Sequence, residues 1–169
     1  MRPISFRPVQ PGDGALLHEL HGDPSTNVHN PYGASPDRDA SEEMLSGWLR
    51  HWSDYGFGYE LAFDDVNLVG ICGARHDRWQ DRPVRNLYWR LMPEYWHRGL
   101  AGVLGRRALE IAESASQPHD VIVARMLPSN AGSIRVAEAL GLERRQDLDD
   151  QVDGTEWILY AKRAGVSGG

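Results

Sequence analysis

A chain of 169 residues with 41% hydrophobic and 25% charged residues is predicted to form one soluble globular domain with its own core. No apolar run approaches the roughly 20 residues that a membrane span needs, and the N-terminus lacks a hydrophobic signal core, so we expect a cytoplasmic protein. The formal net charge of −6 argues against a nucleic-acid partner and is more compatible with a cationic substrate.

Turn signals separate strand and helix patterns in the first part of the chain. Residues 4–9 form a predicted strand, and a Pro-Gly-Asp-Gly turn leads to a helix over 15–21 with Asp13 as its candidate cap. Residues 22–37 are rich in Pro, Asn, Ser and Gly and are predicted to be a long loop, of the kind that often shapes a binding site. Apolar residues on one face predict a second helix over 39–55.

The rest of the chain is predicted to contain six strands and two helices. In chain order these are strands 57–63, 67–74 and 86–91, helix 100–115, strand 121–127, helix 131–140, and strands 144–152 and 155–161. Three strands in a row precede a β-α-β-α unit, so the order β-α-α-β-β-β-α-β-α-β-β predicts an α/β fold with a mixed, strongly twisted central sheet flanked by helices. We expect one domain over residues 1–164 and a flexible tail over 165–169.

The most informative segment is residues 91–102, which join a predicted strand to a predicted helix. The first-turn N–H groups of a helix lack intrahelical partners, and the helix dipole adds partial positive charge there. Because Gly99 and Gly102 have no side chains, a pyrophosphate can approach the backbone closely. Glycines that only let a helix pack on a strand would produce the same pattern, and neither a dinucleotide Gly-x-Gly-x-x-Gly nor a nucleotide-hydrolase phosphate loop is present.

A second motif follows strand 121–127. Residues 93–101 read PEYWHRGLA and residues 130–142 read NAGSIRVAEALGL, and together they resemble the GNAT superfamily of N-acetyltransferases. More narrowly, they resemble its RimJ/RimL-like branch. The resemblance covers nearly the whole chain and implies a single-domain GNAT-like fold with acetyl-CoA as co-substrate and no metal. It also implies transfer of the acetyl group to a primary amine, either a protein N-terminus or a small molecule, by direct attack.

The resemblance assigns the donor site to the loop. The loop amides would bind the CoA pyrophosphate, the preceding strand residues would contact the pantetheine arm, and Asn130 would contact pantetheine or an ordered water. Asn130 is equally well explained as the cap of the following helix. The predicted cofactor-binding residues are Leu91, Met92, His97, Arg98, Gly99, Leu100, Ala101, Gly102 and Asn130.

The resemblance makes Ser133 the candidate general acid. Many relatives carry a proton-donating tyrosine where this chain has Ala137, whereas the RimJ/RimL-like branch has a serine at the position of Ser133. Alternatively, Ser133 is a first-turn hydroxyl that bonds to the backbone. A general base is not assigned from the sequence. The candidates on or beside the predicted hairpin are Glu60, Asp64, His76 and Asp77.

Three other features receive simpler interpretations. Cys72 lies in an apolar strand and is predicted to be a buried hydrophobic residue rather than a nucleophile. His18 and His21 lack a third metal ligand and are predicted to lie on a solvated helix face. The tryptophans Trp48, Trp52 and Trp89 are predicted to be core, and one or two of them could instead line an acceptor pocket.

The expected partners are an amine acceptor but no nucleic acid or membrane, and a homodimer is compatible with the sequence. Two other functions are compatible with the sequence. One is a non-catalytic acyl-CoA-binding module with the same fold, and the other is a nucleotide-binding domain of a different fold.

Overall fold

The computed structural model describes residues 3–115 and 120–162, and the predicted tail over 165–169 lies outside these ranges. Within them the chain forms eight strands and four α-helices, joined by short 3-10 turns at Pro24–Asn27, Pro93–Tyr95 and Gln146–Leu148. The strands are β1 (Ser5–Pro8), β2 (Tyr59–Asp64), β3 (Asn67–Trp79), β4 (Arg82–Leu91), β5 (Val121–Met126), β6 (Leu142–Arg144), β7 (Asp150–Val152) and β8 (Thr155–Lys162). The helices are α1 (Gly14–Gly22), α2 (Arg38–Tyr55), α3 (Leu100–Ser114) and α4 (Ala131–Ala139).

The sheet order is β1-β2-β3-β4-β5-β8-β6, and β7 pairs with β8. Every described pairing is antiparallel except that of β4 with β5, which is parallel. The predicted α/β class with a mixed sheet in a single domain is therefore confirmed. None of the helices in the described ranges combines the length and apolarity needed to cross a bilayer.

The parallel pair at the centre of the sheet is short. β4 and β5 are paired over only three residue pairs, from Val84 with Val121 to Asn86 with Val123. Beyond that point β4 continues to Leu91 with no partner on this side, and β5 continues to Met126. We call the opening between residues 87–91 and 124–126 the strand gap. It leaves two strand edges inside the sheet with backbone groups that are not used for pairing.

Helices cover both faces of the sheet, and successive side chains of β4 alternate between them. Arg85 donates to the carbonyl of Ala112 on α3, so the odd-numbered residues of this strand face α3. Tyr88 faces the opposite side, where its ring lies 6.3 Å from that of His21 on α1. We refer to this second side as the α1/α2 face.

The β3–β4 hairpin is longer than predicted. The two strands pair from Gly70 with Leu91 to Trp79 with Arg82. Gln80 and Asp81 form the turn, with φ of 48° and 60°. A two-residue hairpin turn with positive φ at both positions normally signals itself through glycine or asparagine. The Gln-Asp pair lacks that signal, so the sequence pattern does not predict the strand residues 75–85 on either side of the turn.

Two other local predictions were incomplete or wrong. The predicted strand 144–152 is divided into β6 and β7 by the 3-10 turn Gln146–Leu148. Asp13 does not cap α1 with its side chain, because its carboxylate accepts hydrogen bonds from the Arg7 guanidinium at 2.8 Å and from the Gln10 N–H at 2.7 Å. The Asp13 carboxylate thus bonds to β1 and to the turn before α1 instead of capping the helix.

Candidate active site

The loop between β4 and α3 has the backbone conformation of an anion site. His97 has φ of 58° and Gly99 has φ of 75°, and Arg98 between them has negative φ. Backbone that alternates in this way directs successive N–H groups into a common concavity. Asp37 caps α2 and Asn130 caps α4 through their side chains, but Gly99 at the cap of α3 offers none. The first-turn N–H groups of α3 therefore donate no hydrogen bond to the side chain of their cap residue.

The three glycines of this helix start have two different roles. A Cβ atom added at Gly99 or Gly102 would meet no other atom within 4 Å, so the approach to the backbone is open at both positions. A Cβ added at Gly105 would lie 2.7 Å from Cγ1 of Val136. Gly105 therefore permits close packing of α3 on α4, and the anion site depends on the first two glycines only.

The strand gap begins beside this loop. The Met92 N–H donates to the Val69 carbonyl at 2.9 Å, and the Met92 carbonyl accepts from the Tyr95 N–H at 3.0 Å. Backbone groups alternate in direction along an antiparallel strand, so those of Leu91 and Trp89 point away from β3 and toward the gap. The Leu91 carbonyl accepts a bond from the indole of Trp96 at 3.2 Å. Of the two predicted pantetheine contacts, Leu91 has a backbone N–H directed to the gap, whereas both backbone groups of Met92 are already bonded.

A cavity of about 650 Å³ opens from the strand gap. It is bounded by the loop after α1, by β4 and β5, and by the start of α4. Of the ten residues predicted for the site, the cavity brings together Leu91, His97, Ala101, Asn130 and Ser133. The other five are Met92 and Leu100, which are buried, Arg98, which is exposed over the ring of Tyr95, and the two glycines of the loop.

Asn130 and Ser133 meet at the N-terminus of α4. The Asn130 Oδ1 atom accepts from the Ser133 N–H at 3.1 Å, so Asn130 is a helix cap, and its amide nitrogen remains for other contacts. Within residues 3–115 and 120–162, no side-chain hydrogen bond engages the Ser133 hydroxyl, although Ser133 lines the cavity. Ala137, at the position of the tyrosine in many relatives, is fully buried and provides no acid.

None of the four candidate bases lines the cavity. Glu60 is buried and accepts two hydrogen bonds from Arg107 on α3, at 2.8 and 3.0 Å. His76 pairs with Asp120 at 2.8 Å, and Asp77 pairs with Arg125 at 3.2 Å, while Asp64 ends β2. Three of these four residues therefore have structural partners.

The prediction that His21 lies on a solvated helix face is wrong. Its side chain is buried, with Nδ1 3.1 Å from the Leu17 carbonyl and Nε2 3.0 Å from the Tyr88 hydroxyl. Burial lowers the pKa of His21 to about 3, and the charge of Arg90 adds to this effect. The ring is therefore neutral at pH 7. Since a carbonyl only accepts, Nδ1 carries the proton, and the Tyr88 hydroxyl donates to Nε2. Tyr88 lines the cavity, and its orientation is fixed by this bond.

The neutral His21 predicts a specific loss of stability in acid. In the unfolded chain this histidine takes up a proton below pH 6.5, whereas in the folded protein it does not do so until about pH 3. The free energy of unfolding of the unmodified protein should therefore fall by about 2 kcal/mol more between pH 7 and pH 5 than that of His21→Gln. Denaturant unfolding at the two pH values measures this difference. The exposed His29 provides the control, because His29→Gln should keep the full pH dependence. Equal pH dependence in all three proteins would contradict the neutral assignment.

Cys72 and Trp48 are both buried, which confirms their assignment to the core. Burial also raises the pKa of the Cys72 thiol far above its ordinary value, and Glu60 adds to this rise. The thiolate form that a nucleophile requires is thus disfavoured. Trp89 is half-buried and lines the cavity.

Helix α3 thus begins at a cap residue without a side-chain acceptor, and its N-terminus lies beside the split β4–β5 pair. Residues 4–143 match the family model described as the acetyltransferase (GNAT) domain. The chain therefore belongs to the GNAT acetyltransferase family, and the prediction of this superfamily is confirmed.

Solved structures share this fold. An acetyltransferase from Agrobacterium tumefaciens is 22% identical, with a TM-score of 0.75 over 95% of this chain and 91% of that one. The protein yncA from Salmonella typhimurium, determined with its cofactor acetyl-CoA, is 18% identical, with a TM-score of 0.70 over 94% of this chain and 91% of that one. A spermidine N-acetyltransferase from Vibrio cholerae, in complex with CoA and spermine, is 19% identical, with a TM-score of 0.69 over 94% and 92%. The rival interpretation as a nucleotide-binding domain of a different fold is wrong.

Proposed function

We propose that this protein is an acetyl-CoA-dependent N-acetyltransferase that moves an acetyl group to a primary amine by direct attack. The observation that carries the proposal is the open anion site at the N-terminus of α3 directly beside the strand gap. Membership of the GNAT family and the two similar structures that hold acetyl-CoA or CoA support it. We further propose a cytoplasmic location and membership of the RimJ/RimL-like branch, on the basis of the sequence motifs and of Ser133.

The described residues fit acetyl-CoA. The N–H groups over residues 97–102 would bind the pyrophosphate, because neither Gly99 nor Gly102 blocks its approach. The pantetheine arm would lie along the strand gap and bond to the exposed backbone edge at Leu91. A backbone N–H aimed at the thioester oxygen would stabilise the negative charge that develops there, an effect worth a few kcal/mol.

The reaction forms one C–N bond and breaks one C–S bond. A deprotonated amine attacks the thioester carbon, the tetrahedral intermediate collapses, and CoA leaves as a thiolate that takes up a proton. The hydroxyl of Ser133 would donate that proton and would recover one from water, and water would also take up the proton that the attacking nitrogen loses as the amide forms. The ammonium form of the acceptor would lose its proton to water in the cavity before attack, because each carboxylate considered as a base lies outside the cavity.

A turnover screen tests the proposal. Purified protein is incubated with acetyl-CoA and a panel of primary amines that includes short peptides with free N-termini, and release of the CoA thiol and formation of the amide are both measured. We expect amide formation with at least one class of amine. Tight CoA binding with no acetylation of any amine would favour the non-catalytic acyl-CoA-binding module. Equal binding of ADP and CoA would contradict the pantetheine site.

Substitution Ser133→Ala is expected to lower kcat by about 10-fold and to leave KM for acetyl-CoA nearly unchanged. The effect is modest because a thiolate is a fair leaving group without assistance. The exposed Ser129, just before the same helix, provides the control Ser129→Ala, which should keep full activity. An unchanged kcat for Ser133→Ala would show that Ser133 is not the proton donor and has only a structural role in the first helical turn.

A further inference from the structure

Three arginines share the α1/α2 face of the sheet at the strand gap. Arg75 lies opposite Asn86 in the β3–β4 pairing, and Arg90 follows on the same face of β4. Arg125 lies two residues after Val123, which is the parallel partner of Asn86. Residues two apart on a strand share a face, so Arg125 also lies on the α1/α2 face. Arg90 and Arg125 line the cavity directly.

Each of these guanidinium groups lies over an aromatic ring. An arginine that stacks on a ring face keeps the N–H fork at its edge for hydrogen bonding, and its rotamer is held in place. The distances from the guanidinium carbon to the ring centroid are 5.9 Å for Arg75 over Tyr59, 5.7 Å for Arg90 over Tyr88, and 5.3 and 5.5 Å for Arg125 over Trp79 and Trp157. The arrangement resembles preorganised donors more than mobile surface charges.

Protein carboxylates only partly neutralise this charge. Arg125 pairs with Asp77 at 3.2 Å, and the pair is about one-third exposed. Arg90 donates to the neutral amide oxygen of Asn27 at 2.7 Å. Within the described ranges, no aspartate or glutamate lines the cavity. The cavity is therefore cationic, although the chain as a whole carries a net charge of −6.

Two polar atoms in the same region lack partners. The Nε atom of Arg75 and the Oδ1 atom of Asn86 are buried, and neither has a hydrogen bond within residues 3–115 and 120–162. These two residues are cross-strand neighbours, and Asn86 lines the cavity. Buried polar atoms normally find a partner, so this donor and this acceptor remain unsatisfied within the sheet beside the cavity.

The pyrophosphate of the donor does not account for this charge. Helix α3, whose N-terminus would bind the pyrophosphate, packs on the face of the odd-numbered residues of β4, whereas Arg90 and Arg125 lie on the opposite, α1/α2 face. Arg125 lies on β5, across the strand gap from the loop. Arg90 and Arg125 therefore line the side of the cavity where the acceptor would bind.

We propose that the amine acceptor carries a negatively charged group close to its amine, as an amino acid carries a carboxylate, and that Arg90 and Arg125 bind this group. The proposal rests on the N-acetyltransferase function and gives its substrate class. An acidic substituent would receive charge-assisted hydrogen bonds from the two forks. A polyamine would instead bring two or more positive charges into a cavity that has no carboxylate in the described ranges.

Matched acceptors test the charge directly. Thiol release from acetyl-CoA is measured with each of the common α-amino acids, with the corresponding carboxamides, which keep the amine and lose the negative charge, and with spermidine. We expect the best amino acid to have a kcat/KM at least about 10-fold above that of its carboxamide, and spermidine to be a poor substrate.

Two variants locate the effect. Arg125→Gln and Arg90→Gln should each lower kcat/KM for the amino acid by about 10- to 100-fold, mainly through KM, and should change that of the carboxamide by less than about 3-fold. Arg50→Gln, on the exposed side of α2, should change neither value. Equal losses of kcat/KM for the amino acid and for the carboxamide would indicate a general disturbance of the fold and would contradict the proposal.

The outcomes distinguish a failure of the inferred substrate class from a failure of the proposed N-acetyltransferase function. Preference for carboxamides, neutral amines or spermidine over the acids would overturn the inference and leave the N-acetyltransferase function standing. Failure to acetylate any amine, with acetyl-CoA still bound, would overturn the proposed function and the inference with it.

Discussion

Substitution Gly102→Asp is expected to lower kcat/KM for acetyl-CoA by about 100-fold without destabilising the protein. Gly102 is the third residue of α3, where a carboxylate interacts favourably with the helix dipole and where glycine costs about 1 kcal/mol relative to alanine. An added Cβ meets no atom within 4 Å. The new negative charge would, however, repel the pyrophosphate at a cost of about 3 kcal/mol at an effective dielectric constant near 20.

The measurement combines steady-state kinetics with thermal unfolding of the free protein. Gly102→Ala is the matched control, because it adds the Cβ and the helix propensity without the charge. It should retain most activity and should unfold at the same temperature as the unmodified protein or at a higher one. Normal acetyl-CoA kinetics in Gly102→Asp would show that the pyrophosphate does not bind at this helix terminus.

Substitution Arg107→Ala is expected to destabilise the fold by about 2 to 3 kcal/mol. Arg107 joins α3 to β2 by donating two hydrogen bonds to Glu60, whose side chain is 7% exposed. Removal of the arginine leaves a buried carboxylate without its counter-charge, which costs 3 to 5 kcal/mol in fully buried pairs. The cost here is lower because Arg107 is partly solvated, with 37% of its side chain exposed.

Denaturant unfolding measures the loss, and the midpoint of thermal unfolding should fall by about 5 to 10 °C. The double variant Glu60→Gln/Arg107→Ala should recover part of the stability, since no buried charge then remains. The exposed neighbour Arg106 is the control, and Arg106→Ala should change stability by less than about 0.5 kcal/mol. Equal losses in Arg107→Ala and the double variant would show that packing, not the ion pair, holds this contact.

The open helix start after β4 could be predicted from the sequence because it is local. The loop over residues 91–102 is one continuous segment, and its function depends on missing side chains and on backbone N–H groups. Glycine positions next to a helix start are visible in a sequence. The distinction between Gly102, which is open, and Gly105, which packs on Val136, required the position of α4.

The walls of the cavity on the α1/α2 face could not be predicted because their parts are distant in the chain. His21 was assigned to solvent from its helical spacing with His18, and only the position of Tyr88, 67 residues later, explains its burial. The contacts of Arg125 with Trp79 and Trp157 likewise depend on strand order. The net charge of the chain favoured a cationic substrate, whereas the charges that line the cavity favour an anionic group.

The short parallel pairing has a mechanical consequence. Strands β1 to β4 come from the first part of the chain and β5 to β8 from the second. Among residues 3–115 and 120–162, the strand pairing that joins these half-sheets is limited to three residue pairs, from Val84 to Asn86 on β4. A pantetheine arm that bonds to both strand edges would act as an additional rung between them. Occupation of the gap would then stiffen the junction between the two half-sheets.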